Sequence, residues 1–308
     1  MTFTYKIKSE IYRSKAFRGP RRAAQAYGLL LFGKHFGEEA IGLVTENKRV
    51  TKLYANAITD LVGITESITI KETKHTGNSV FAVSVDSRED REKVLAFFGH
   101  REGAEGIRME NLAEEGDLAA FLSGVFLACG NVTDPQKSYH LEFVVPSPGL
   151  AQPLCDAIGL ILPTPKLTRR RGQEIVYYKE SENIEDLLAT IGASTAALEL
   201  MEVKIYKDMR NKVNRVTNCE TANIEKTVTA AMQQIEDINL ILRERGEGAL
   251  EDDLRELAFL RLQNPEMSLR ELGENLSENI SRSGVNHRLK RIGALADEIR
   301  RIQTAARK

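Results

Sequence analysis

Two stretches of this chain read alike, and that repetition constrains the fold more than any other feature. The first opens with an apolar helix over roughly Pro20–His35, where Pro20 suits a helix start because its missing N–H would have no partner there. A short strand follows (AIGLV, 40–44), then a helix over about 48–62. Next comes a hairpin, ITIKE…TGN…VFAVSV, with alternating side chains and a Gly-Asn turn at 77–78. A closing helix starts near SREDREKVLAFFG with Ser87 as its cap. The second stretch repeats the order: a helix at 117–129, a strand at 139–145, a helix at about 148–160, the hairpin PKLT-RRRGQ-EIVYYKE turning at Arg171-Gly172, and a helix from Ser181. The pattern predicts duplicated helix-strand-helix-strand-strand-helix units at about 20–100 and 117–195.

Both opening helices carry a glycine near the middle, Gly28 and Gly124, within an apolar surface. The second also has Ser123, Ala128 and Gly130. Small residues at helical spacing let two helices approach closely, so these positions read as a tight seam between the halves.

After about residue 200 the strands stop. Residues 203–245 read as one long polar-rich helix with an Asn- and Thr-rich centre, NKVNRVTNCETAN. LEDDLRELAFLRLQN is an amphipathic helix ended by Asn264-Pro265, and SLRELGENL opens with a Ser268/Glu271 capping box. After the connector SENI comes SRSGVNHRLKRIGALADEIRRI, giving three helices with the last two short and tightly joined. The fold class is α+β: a duplicated domain over 1–200, a helical linker over 201–248, and a separate all-α helix-turn-helix domain over 249–308.

A net charge of −1 over 308 residues gives no global field toward nucleic acid or membrane, so charge has to be read locally. Three scattered cysteines, Cys129, Cys155 and Cys219, fit a reducing compartment and no zinc site. No signal peptide is expected, and AYGLLLF at 26–32 is too short to span a bilayer, so the location expected is cytoplasmic and nucleoid-associated, with no membrane partner.

The order helix, short helix, turn, basic helix is that of a DNA reader. Leu269, Leu272 and Leu276 share one face of the short helix, and Val285, Leu289 and Ile292 would pack against it. The outer face of the last helix then presents Arg282, Ser283, Asn286, His287, Arg288, Lys290 and Arg291. Ser281–Lys308 holds eight Lys or Arg against Asp297 and Glu298, about +6 locally. Arg can read guanine and Asn adenine in a major groove, while Lys and Arg neutralise phosphates. A second basic spot is the hairpin with Lys166, Arg169, Arg170 and Arg171; the first hairpin offers a weaker set in Lys71, Lys74 and His75. A solvated basic face remains the alternative at each.

AYGLLLFGKHF (26–36) and LSGVFLACGNV (122–132) resemble two degenerate copies of the LAGLIDADG motif of homing endonucleases. In that family two such helices pack at a pseudo-two-fold axis beneath DNA-saddling sheets, and an acid near each helix end holds the metal. The unit order here is similar, with what reads as an extra helix. Aligning Gly28 and Gly124 on the motif glycine puts Gly33 and Cys129 at the acid positions. Glycine has no ligand, and a lone thiol suits magnesium poorly. The nearest acids, Glu38, Glu39 and Asp134, fall past the helix ends. Catalytic, metal and cofactor sites are therefore expected to be absent.

Over nearly the full length, FLSGVFLACGNVTDPQKSYHLEF, RNKVNRVTNCETAN and SGVNHRLKRI resemble the WhiA family of bacterial transcription regulators. That resemblance implies a regulator of sporulation or cell-division genes with a catalytically silent endonuclease-like half. It also implies a C-terminal domain similar to the promoter-reading domain of sigma factors. Double-stranded promoter DNA is the implied partner, with RNA polymerase or a co-regulator protein as further candidates; WhiB-like partners belong to some lineages only. The competing functions are a metal-dependent DNA endonuclease working through Glu38 or Asp134, and an interaction scaffold in division control. Arg210, Asn211, Asn214, Arg215 and Asn218 match the family wording and read best as a helix–domain junction whose amides bond to backbone, with DNA contact as the lesser reading.

Overall fold

The computed structural model describes residues 2–14, 16–75, 78–100 and 106–306. Gly77 of the anticipated hairpin turn, the His75 side chain, Arg307 and Lys308 lie outside the described residues. The chain divides into two units, Met1–Asp208 and Met209–Lys308.

The first unit begins with a helix the sequence reading did not anticipate. It is α1 (Phe3–Arg13), N-capped by Thr2, which buries Phe3, Ile7 and Ile11 in the core. The duplication follows. One copy runs α2 (Arg22–Leu31), β1 (His35–Phe36), β2 (Ile41–Thr45), α3 (Lys48–Val62), β3 (Ile68–His75), β4 (Asn78–Val85) and α4 (Arg88–Phe97). The other runs α5 (Asp117–Cys129), β5 (Gly130–Val132), β6 (Leu141–Val144), α6 (Ala151–Gly159), β7 (Lys166–Arg170), β8 (Gln173–Tyr178) and α7 (Ser181–Thr190). Each copy folds a four-stranded antiparallel sheet, in the orders β1-β2-β4-β3 and β5-β6-β8-β7. What looked like an extra helix is thus a missed strand. β1 and β5 are only two and three residues long, too short to show alternation, and pairing with β2 and β6 defines them. Correspondingly α2 stops at Leu31 rather than His35, and Gly130 opens a strand.

The two copies meet along α2 and α5. Both are apolar on every side and buried through Ala24–Leu31 and Ala120–Leu127, as an interior helix must be. A Cβ built on Gly28 would stand 2.1 Å from the Phe121 carbonyl oxygen, and one on Gly124 2.0 Å from that of Gln25. The backbones are in direct contact there, so only hydrogen fits. One buried polar link crosses the seam: Gln25 Nε2 donates to Ser123 Oγ at 2.8 Å, and that hydroxyl donates to the Ala120 carbonyl.

Helix α8 (Ser194–Arg245) leaves the first unit and continues into the second. Glu10 of α1 caps its start, accepting from the N–H groups of Thr195 (2.7 Å) and Ala196 (3.1 Å). In the second unit α9 (Asp252–Gln263), α10 (Leu269–Glu274) and α11 (Arg282–Ala306) enclose a separate core. Leu254, Leu257 and Ala258 meet Leu272, Leu276, Val285, Leu289, Ile292, Ala296 and Ile299. Ile238, Leu240 and Ile241 of α8 join them, so part of the stretch read as a linker supplies this core. The last helix is 25 residues long, not short.

Candidate nucleic-acid interface

The C-terminal three-helix arrangement is built on two turns. Ser268 caps α10 by accepting from Glu271 N–H, while Glu271 accepts from Ser268 N–H at 2.7 Å, which closes the expected capping box. Gly273 sits against the connector into α11, where a Cβ would lie 2.3 Å from the Ile280 carbonyl oxygen. Ser281 then caps α11 through Gly284 N–H. The turn before α10 is held by Arg261, only 2% exposed, which donates to the carbonyls of Met267 (2.7 Å), Pro265 (3.3 Å) and Asn264 (3.5 Å). Arg261 was missed at the sequence level, although its spacing with Leu254, Leu257 and Ala258 puts it on the buried face of α9.

With Val285, Leu289 and Ile292 buried, Arg282, Asn286 and Lys290 form an exposed i, i+4, i+8 row on α11, bordered by exposed Ser283 and His287. None of these five side chains is hydrogen-bonded or ion-paired among the described residues. Arg288 and Arg291 differ from the expectation of open phosphate contacts. Arg288 meets Asp253 at 3.2 Å, and Arg291 meets both Glu251 and Asp253. They tie α11 to the start of α9, and Arg288 is only 18% exposed.

The basic hairpin of the first unit is partly neutralised. The β7–β8 register sets Arg169 opposite Glu174, 3.6 Å away, and Lys166 meets Glu180 at 2.9 Å. Arg170 and Arg171 stay exposed at the tip. There Arg171 and Gly172 have φ of 50° and 82°, the left-handed pair a two-residue hairpin turn requires. On the first hairpin Lys71 and Lys74 are exposed on β3.

The ends of α2 and α5, where a cleaving relative would need acids, do not suit a metal. Gly33 is buried against the Gly42 carbonyl. The Cys129 Sγ donates to the Val125 carbonyl at 3.5 Å, and burial pushes its thiol up to about 12, so it stays neutral. Asp134 is a turn residue whose carboxylate accepts from Gln136 N–H at 2.9 Å. Lys8 of α1 sits within electrostatic reach of Cys129 and Glu46, and burial pushes its ammonium down to about 8. An ammonium and a protonated thiol offer no oxygen ligands to magnesium. Among the described residues no three His, Cys, Asp or Glu side chains converge as a metal site.

Lys8 makes a measurable liability. Between pH 8 and its ordinary value of 10.5, the unfolded chain binds a proton at Lys8 that the folded chain lacks. The cost of burying it therefore fades as pH rises through that window. Lys8→Met is expected to stabilise the first unit at pH 7 by on the order of 1–3 kcal/mol. In thermal melts the gain should shrink toward zero by pH 10.5; a gain that does not change with pH would exclude a desolvated ammonium at the half-buried Lys8.

Residues 118–210 match the family model described as the WhiA LAGLIDADG-like domain, and residues 213–296 match that of the WhiA C-terminal HTH domain. A probable cell division protein WhiA of Clostridium tetani is 37% identical over 321 residues, covering 97% of this chain and 98% of the relative. The chain belongs to the WhiA family. The counterpart in Clostridium perfringens strain SM101 is 39% identical over 314 residues, covering 97% and 99% of the two chains. The crystal structure of full-length WhiA from Thermatoga maritima shares the fold, with a TM-score of 0.57 at 23% identity, covering 97% and 99%. The fold class read from the sequence, a LAGLIDADG-like α+β domain followed by a helix-turn-helix domain, is therefore that of a WhiA-family protein. No helix among the described residues is long and apolar enough to cross a membrane.

Proposed function

We propose that this chain is a sequence-specific, nucleoid-associated DNA-binding regulator of sporulation or cell-division genes, with α11 reading the duplex and the duplicated domain acting as a scaffold that does not cleave. The observation that carries this reading is the exposed, unpaired Arg282–Asn286–Lys290 row on the N-terminal half of the last helix of a helix-turn-helix domain. That is the part of such a helix that enters a major groove, where Asn pairs with adenine edges and Lys or Arg with guanine or phosphate. Ser283 and His287 border the row, Arg288 and Arg291 hold its helix against α9, and Arg170 and Arg171 supply a second phosphate-binding spot on the hairpin. The neutral Cys129 thiol and the Lys8 ammonium at the end of α5 support the non-cleaving part, because a divalent ion would meet a thiol where a cleaving relative carries its acid, and a competing cation beside the Glu46 carboxylate. RNA polymerase or a co-regulator protein is the partner through which promoter occupancy would act.

In gel shifts on promoter fragments, Asn286→Ala with Lys290→Ala is expected to weaken binding by about tenfold to a hundredfold. The salt slope should fall by roughly 0.9 if Lys290 neutralises one phosphate. Unchanged binding in the double variant would remove α11 from the interface. Supercoiled plasmid should stay intact with magnesium or manganese; nicking that vanishes in Asp134→Ala would establish a nuclease instead.

A further inference from the structure

The Asn-rich centre of α8 does not do what its sequence suggested. The amides of Asn211, Asn214 and Asn218 make no hydrogen bond to backbone or side chain among the described residues, so they hold no junction together. Every residue from Met209 to Ala230 is exposed. Asparagine is a poor helix former, and its amide competes with the backbone for hydrogen bonds. Three of them on a solvated helix weaken it without any internal contact in return.

Their placement is ordered. Arg210, Asn211, Asn214, Asn218 and Thr221 fall on one helical face, and Arg215 borders it. The apolar residues Met209, Val213 and Val216 lie on another face. From Met209 to Cys219 there is no acid, and Arg210, Lys212 and Arg215 have no ion-pair partner among the described residues. They share this with Arg282 and Lys290 of α11, whereas Arg243, Arg245, Arg255, Arg270, Arg288, Arg291 and Arg300 of the same unit are paired to carboxylates. The helix-turn-helix family model begins at residue 213, inside this free segment.

We infer that the Arg210–Thr221 face of α8 is a second base-reading surface for duplex DNA, an inference that rests on the DNA-binding reading above. A major groove admits an α-helix, Asn amides match adenine edges, and unpaired arginines reach guanine or phosphate. Asn214 and Asn218 stand about 6 Å apart along the helix axis, close to two base-pair steps.

The test uses the full chain and a duplex selected from a random-sequence pool by that same chain. Arg210→Ala with Arg215→Ala should weaken binding roughly tenfold and lower the salt slope by up to about 1.8. Asn214→Ala with Asn218→Ala should flatten sequence preference at two A·T positions by about tenfold each. Alanine is the better helix former, so circular dichroism of both variants should show helix content at or above that of the unsubstituted chain, which separates lost recognition from lost folding. If both variants bind and select as the unsubstituted chain does while Asn286→Ala with Lys290→Ala loses affinity, α8 is not a reading surface and the α11 assignment stands. If all three bind normally, both assignments fall.

Discussion

Gly124→Ala is expected to lower the stability of the duplicated unit by about 3 kcal/mol or more, at the upper end of what overpacking costs. A methyl at Gly124 would lie 2.0 Å from the Gln25 carbonyl oxygen and 2.7 Å from the Leu29 nitrogen. Both are backbone atoms of a buried helix and cannot swing aside as a side-chain terminus would. The seam has to open, and the Phe121, Val125 and Phe126 side chains on α5 lose packing with it. Helix propensity alone predicts the opposite sign, since alanine is favoured over glycine by about 1 kcal/mol inside a helix. In calorimetry the transition of a unit this size should move down by roughly 10 °C. Gly28→Ala should behave alike, with its methyl 2.1 Å from the Phe121 carbonyl oxygen. Gly37→Ala is the control, since nothing lies within 4 Å of its added methyl. A Gly124→Ala protein melting like the Gly37→Ala control would mean the two helices do not touch.

Arg261→Leu is the second large effect, expected to destabilise the helix-turn-helix unit by on the order of 3 kcal/mol. A buried charge replaced by an apolar group can be neutral when its partners are replaced too. Here the partners are the backbone carbonyls of Asn264, Pro265 and Met267, which no substitution at 261 can remove. Burial already pushes the Arg261 guanidinium down, so its hydrogen bonds offset a real desolvation cost. Without them the α9–α10 turn loses its anchor and α10 its fixed approach to α11, so DNA affinity should fall along with the melting temperature. Arg261→Lys should recover part of the stability, because one ammonium can replace some of the donors but not the planar fork. Loss of affinity at full stability in Arg261→Leu would instead make Arg261 a direct DNA contact.

Elements with a long, clean signal could be read from the sequence. α5 runs over Asp117–Cys129, the residues its apolar periodicity marks, and the Ser87 and Ser268 caps and the Arg171-Gly172 turn sit where their local chemistry puts them. The short strands β1 and β5 were not legible, because two or three residues carry no period and exist only through pairing with β2 and β6. α1 was legible by the usual rule, since Phe3, Ile7 and Ile11 recur at i, i+4 and i+8, the spacing of a helix with one apolar face, but it lies outside the duplicated pattern.

At the candidate interface the division falls between identity and pairing. The sequence by itself determined which residues line the outer face of α11, since 3.6-residue periodicity follows from Val285, Leu289 and Ile292 alone. It also determined the duplication and the need for small residues at Gly28 and Gly124, because spacing along one helix is a local property. Only the tertiary structure decided which charges are available. Asp253 and Glu251, nearly forty residues upstream, occupy Arg288 and Arg291, and Glu174 and Glu180 occupy Arg169 and Lys166. Arg210 and Arg215 of α8 are left without such partners among the described residues. Coulomb attraction depends on distance in space, and nothing in a charge's neighbours along the chain states which opposite charge the fold will bring within 4 Å.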